Sequence, residues 1–120
     1  MKGHDHLLDR QYDQERYNCV HFAHEAAMDL YGIDRGEALE LFMQPKGSIE
    51  FKLSRIKILN PLPIPKEGCI VAFHPRLRNK PPHVGLFRGG KVLHLMESGV
   101  SYLSEQVVMA MGFNRVSYYD

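Results

Sequence analysis

The chain has 120 residues, enough for one domain around one core and too few for two. Hydrophobic residues at 44% and charged residues at 24% are ordinary values for a soluble folded domain, which excludes a disordered chain and a membrane-spanning one. Lys and Arg number 15 against 14 for Asp and Glu, with no basic block, so nucleic acid is not an expected partner.

The N-terminal stretch MKGHDHLLDRQYDQERY has one early lysine and no apolar run, so it reads as neither signal peptide nor membrane anchor. A single domain over 1–120 is expected, with residues 1–11 as a flexible N-terminal segment. His4 and His6 in that segment resemble a weak metal clip. No histidine and cysteine spacing in the chain forms a closed zinc site, and neither a metal nor an organic cofactor is expected. Without an export signal, Cys19 and Cys69 are expected as reduced thiols.

From Asn18 to Tyr31, Val20, Ala23, Ala27 and Leu30 recur at helical spacing, with Phe22 and Ala26 widening the apolar face. Asn18 is a favoured N-cap type and Gly32 a plausible stop, which puts Cys19 at the first helical position. His21 and His24 lie three apart on this helix, where a solvated or capping role competes with a catalytic one. Asp34 caps a short second helix through about Met43. From Pro45 to Lys66 the periodicity weakens, and NPLPIPKEG reads as a connector because its prolines suit neither helix nor central strand.

CIVAF, Cys69 to Phe73, is an apolar strand, and Cys69 in it reads as core. HPRLRNKPP is a loop whose basic part, Arg76 to Lys80, is either solvated or a rim for acidic partners. HVGLFRGGKVLHL splits at Gly89-Gly90 into a two-residue hairpin. GVSYL is a further strand, SEQVVMAM a short helix capped by Ser104, and NRVSYY a closing strand. Helices followed by an antiparallel sheet define an α+β class.

The hairpin links distant residues to the cysteine. With Gly89 and Gly90 as the loop, Arg88 pairs with Lys91, Phe87 with Val92, Leu86 with Leu93, Gly85 with His94 and Val84 with Leu95. Alternation puts His83, Gly85, Phe87, Val92 and His94 on one face. His83 and His94 are then diagonal neighbours, about 7–8 Å apart at the backbone, and Gly85 leaves the space between their rings open. A thiol nucleophile needs a base held by a third polar group, and Cys19, His83 and His94 are the candidates.

These residues carry a resemblance. YNCVHFAHEAA, PIPKEGCIVAF, HVGLFRGGKVLHL, GVSYL and NRVSYY resemble, in order and spacing, the NlpC/P60 papain-like cysteine peptidases, the small phage-tail versions most of all, over Tyr12 to Tyr119. The resemblance implies Cys19 as nucleophile, His83 as general base and His94 as orienting residue. It also implies an oxyanion tyrosine upstream, Tyr12 first and Tyr17 second, beside the Cys19 backbone N–H. Where the family commonly has Asp-Cys-Ser-Gly, this chain has Asn18-Cys19-Val20-His21, which bears on substrate contacts. The implied reaction is hydrolysis of peptidoglycan stem peptides through a thioester. The implied setting is a phage tail, with other tail proteins as partners, or the bacterial cytoplasm before delivery. Two rivals stand beside it. NCVHF is similar to the NCEHF of lecithin-retinol acyltransferase relatives, which suggests a thiol acyltransferase or thioesterase, and an inert structural tail or adaptor protein is the other.

Overall fold

The computed structural model describes residues 3–39, 59–77, 80 and 82–120. In chain order these form a 3₁₀ turn (Asp5–Leu7), α1 (Cys19–Tyr31), α2 (Gly36–Leu39), β1 (Pro61–Leu62), β2 (Ile70–Pro75), β3 (His83–Arg88), β4 (Lys91–Met96), β5 (Gly99–Leu103), α3 (Glu105–Met109) and β6 (Phe113–Tyr119). The six strands make one antiparallel sheet in the order β1-β6-β2-β3-β4-β5. The class is α+β. Among the described residues no helix is long and apolar enough to cross a membrane.

The unbroken apolar run of β2 follows from its central place, with both faces covered. Ile70 and Ala72 join Val84, Leu86, Leu93 and Leu95 under α1, against Phe22, Ala23, Ala26 and Ala27. Val71 and Phe73 face the other way, with Val92 and with Val108 of α3. The strand runs on through His74 and Pro75, which the sequence suggested as loop. Proline has no N–H for the ladder, and the register with β6 shifts there. The expected connector holds β1, a two-residue strand at the sheet edge, where proline is tolerated. The expected end of α2 at Met43, the first part of the connector and Arg78 and Asn79 of the basic loop lie outside the described residues.

At the start of α1 the Asn18 side chain accepts from the Val20 N–H at 2.9 Å, and His21 Nδ1 accepts from the Asn18 N–H at 3.1 Å. This reciprocal cap satisfies donors that the helix leaves open. The helix ends at Gly32, whose φ of 68° is left-handed and whose N–H returns to Met28 O. Asp34 accepts from the Gly36 N–H at 3.1 Å and so opens α2 as expected. In the β3–β4 hairpin Gly89 and Gly90 have φ of 57° and 81°, the pair of positive values that a type I′ turn requires. The ladder follows the expected register from Arg88↔Lys91 to Leu86↔Leu93, and the two further expected pairs are not part of it.

The N-terminal segment departs from expectation. Leu7 is 1% exposed in the core, and the residues around it are tied to α1 and the sheet. Arg88 Nε donates to His4 Nδ1 at 3.0 Å, His6 pairs with Asp29, and Arg10 makes a two-nitrogen contact with Glu25. The partners retreat along α1 from its last turn to its middle as the segment advances, so the segment is a strap lying antiparallel to the helix. It packs on the fold because Leu7 adds apolar burial and His4, His6 and Arg10 all meet partners, neither of which a local sequence pattern reveals. His4 and His6, facing different partners, do not converge as a metal clip.

Candidate active site

The N-terminus of α1, the start of β3 and the end of β4 lie at one end of the sheet, opposite the Gly89-Gly90 turn. A cleft of about 370 Å³ opens there, lined by Tyr12, Cys19 and His83 together with Leu95, Met96, Glu97 and Ser98. A larger depression, about 580 Å³, lies elsewhere, beside Arg35 and Asp120. Its described lining holds neither thiol nor histidine, whereas Cys19 and His83 both line the smaller cleft.

Cys19 reaches the cleft from the first residue of α1. Burial raises its thiol above the ordinary range, and the backbone of Val84, Cys19 and Val20 pulls the other way by hydrogen bonding to the sulfur. The Val84 contact sets the sulfur against the residue that follows His83. Among the described residues no hydrogen bond joins the Cys19 and His83 side chains. A general base commonly closes that distance only when substrate is bound.

His83 Nε2 lies 2.7 Å from His94 Nδ1, with the rings edge to face and their centroids 5.0 Å apart. The shared face expected from alternation thus brings the two imidazoles into contact. Gly85 leaves no spare room beside His94: a Cβ there would come within 3.1 Å of His94 Cβ and 2.6 Å of Val92 Cγ1. Phe113 stacks on the His83 ring and Phe73 flanks it. His94 is fully buried, and its Nε2 has no partner among the described residues. Burial depresses both imidazoles well below the ordinary histidine value, and the charge of His94 adds to the effect on His83. Both are neutral at neutral pH, and a single proton between the two nitrogens makes one ring the donor. If His83 donates from Nε2, its Nδ1 is left as a base. The His94 Nε2–H is then buried and unpaired, at a cost of about 1–3 kcal/mol.

Of the two tyrosines considered for the oxyanion, Tyr12 lines the cleft. Its phenol is pushed up first by burial and then by the proximity of Cys19 and Glu97. The Tyr17 hydroxyl donates to Glu25, on the strap side of α1, and burial with that bond raises its pKa. Asn18 and His21 are occupied with the helix cap and Val20 is 5% exposed in the core. None of these four lines the cleft, so the position after Cys19 is a packing residue here. His24 approaches Asp34 at 3.8 Å, and Cys69 is fully buried with the Lys66 N–H on its sulfur.

Sequence reasoning missed Met96, Glu97 and Ser98. The signal was their place just after His94, at the end of β4 and in the turn that follows it. No protein family matches the chain, and no curated protein is significantly similar to it.

Proposed function

We propose that the chain is a cysteine peptidase of the NlpC/P60 type that hydrolyses peptide bonds in bacterial peptidoglycan stem peptides. The observation that carries this reading is one cleft holding a helix-starting cysteine, a tyrosine and a histidine hydrogen-bonded to a second histidine. The order and spacing of the motifs and the α+β architecture support a papain-like domain.

In the proposed reaction Cys19 Sγ attacks the scissile carbonyl carbon while His83 Nδ1 takes the thiol proton. The carbonyl π electrons move to oxygen, which the Cys19 N–H and the Tyr12 hydroxyl stabilise. Collapse expels the amine, which leaves with the proton from His83, and a thioester remains on Cys19. Water, deprotonated by His83, attacks that thioester, and the thiol is regenerated as the acid departs. His94 holds the His83 ring and its tautomer. Because burial raises the thiol and lowers the imidazoles, the resting pair is neutral and the proton moves during attack. Delivery by a phage tail or a similar device, among other tail proteins, completes the proposal on the strength of the resemblance.

The test is digestion of purified peptidoglycan by the protein and by Cys19→Ala, with fragments identified by mass spectrometry. Fragments released only by the intact thiol are expected and would name the bond. Leu95 and Met96 beside the thiol favour a second reading, acyl transfer from an apolar thioester. Acylation of Cys19 by a small thioester, with no cell-wall fragments, would select it.

A further inference from the structure

Among the described residues lining the cleft, Glu97 is the one carboxylate, and none is a lysine or an arginine. Glu97 opens the two-residue turn between Met96 and Gly99, which are paired across β4 and β5, so the backbone fixes its place at the mouth of the cleft. Three other glutamates are engaged, Glu25 with Arg10 and Tyr17, Glu67 with Tyr31 and the Gly89 N–H, and Glu105 with Tyr118, whereas Glu15 and Glu37 lie away from the cleft. Glu97 is exposed, and among the described residues no hydrogen bond or ion pair occupies its carboxylate. Tyr12 shares the cleft with both the thiol and this carboxylate, and its phenol pKa is pushed up first by burial and then by both of them.

We propose that Glu97 sets the charge preference of the cleft, pairing with an ammonium or guanidinium group that the substrate carries near the carbonyl attacked by Cys19. A carboxylate lining the same cleft as the thiol concentrates cations and repels anions there, and salt weakens both effects. The role of Glu97 in substrate choice rests on the peptidase reading, while its effect on charged reagents does not.

The experiment measures modification of Cys19 in the intact chain at pH 7 by methanethiosulfonates of similar size bearing an ammonium, a hydroxyl or a sulfonate. In each case the thiolate displaces methanesulfinate and forms a mixed disulfide, and peptide mapping separates Cys19 from buried Cys69. Any effect of Glu97 on thiol ionisation cancels in the ratio of cationic to anionic rates. That ratio is expected to exceed the ratio for free cysteine, to fall roughly tenfold in Glu97→Gln and to shrink with added salt. Glu97→Lys is expected to invert it. The neutral reagent's rate checks that each variant keeps its cleft. Equal ratios in the native protein and Glu97→Gln overturn the proposal, whatever the peptidoglycan digest gives. A charge-dependent ratio without wall fragments sustains the effect of Glu97 on charged groups at the thiol and overturns the peptidase reading, and with it the role in choosing a peptide substrate.

Discussion

Replacing Gly85 with alanine tests the geometry beneath the histidine pair. The new methyl would lie 2.6 Å from Val92 Cγ1, 3.1 Å from His94 Cβ and 3.2 Å from Leu93 O. Carbon atoms pack comfortably at about 3.5–4.0 Å, so the overlap with Val92 is about 1 Å. Val92 is fully buried and β-branched, which leaves it few rotamers to escape into, and two of the three contacts belong to backbone or Cβ atoms. Overpacking of this kind costs about 1–3 kcal/mol. Val92→Ala alone leaves a void and costs about 2 kcal/mol. In the double variant the methyl added at Gly85 enters space that Val92 vacates, so the combined loss should fall short of the sum by about 1 kcal/mol. The residual strain against His94 and Leu93 keeps the rescue partial. Urea unfolding followed by circular dichroism on the four proteins closes the cycle, and the m-values check that the unfolded states match. Additivity within about 0.5 kcal/mol would refute the packing argument.

The buried neutral histidines make stability pH-dependent. Their folded pKa values lie below the unfolded value, so below about pH 6.5 the unfolded chain binds more protons and stability falls with pH, by up to about 1.4 kcal/mol per unit for each histidine. Urea midpoints at pH 7.5, 6.5 and 5.5 should fall slightly between the first two and more steeply to the third; a midpoint that holds or rises at pH 5.5 contradicts the burial argument. Alkylation of Cys19 by iodoacetamide should rise with pH through one ionisation above the ordinary thiol range, and a fast plateau between pH 5 and 7 would mean a preformed thiolate–imidazolium pair. Slow alkylation at neutral pH is therefore compatible with an enzyme and does not by itself mark an inert protein. Tyr12→Phe is expected to lower kcat about 10²-fold with KM little changed, whereas Tyr17→Phe should leave kcat within about threefold. Steady-state kinetics on both variants separates the two tyrosines, and the opposite ranking would return the oxyanion role to Tyr17.

What could be read ahead of the structure depended on how local the determinants were. Asn18, Gly32 and the spacing between them specify a capped helix through short-range backbone chemistry, and Gly89-Gly90 specifies a turn and with it the side on which each histidine stands. The contact between His83 and His94 was legible for that reason. The contacts that hold Tyr17 away from the cleft were not, because Glu25 and Arg10 meet it through a helix turn and a strap that only the tertiary fold assembles. Val20 sits beside the nucleophile in sequence, yet the rotation of α1 between successive residues turns it into the core. Leu7 belongs to no periodic run, so its burial left no pattern to detect.

The strap also bears on how the cleft is assembled. Tyr12 arrives there as the end of a tether held at His4, His6 and Arg10, so it behaves as an intramolecular ligand whose local concentration is set by those three contacts. Loosening a contact at Asp29 or Glu25, far along α1 from the sulfur, would reduce the fraction of time the phenol is seated while the thiol and imidazoles stay packed. Substitutions along the strap should therefore grade the occupancy of the proposed oxyanion donor without dismantling the cysteine and the histidine pair.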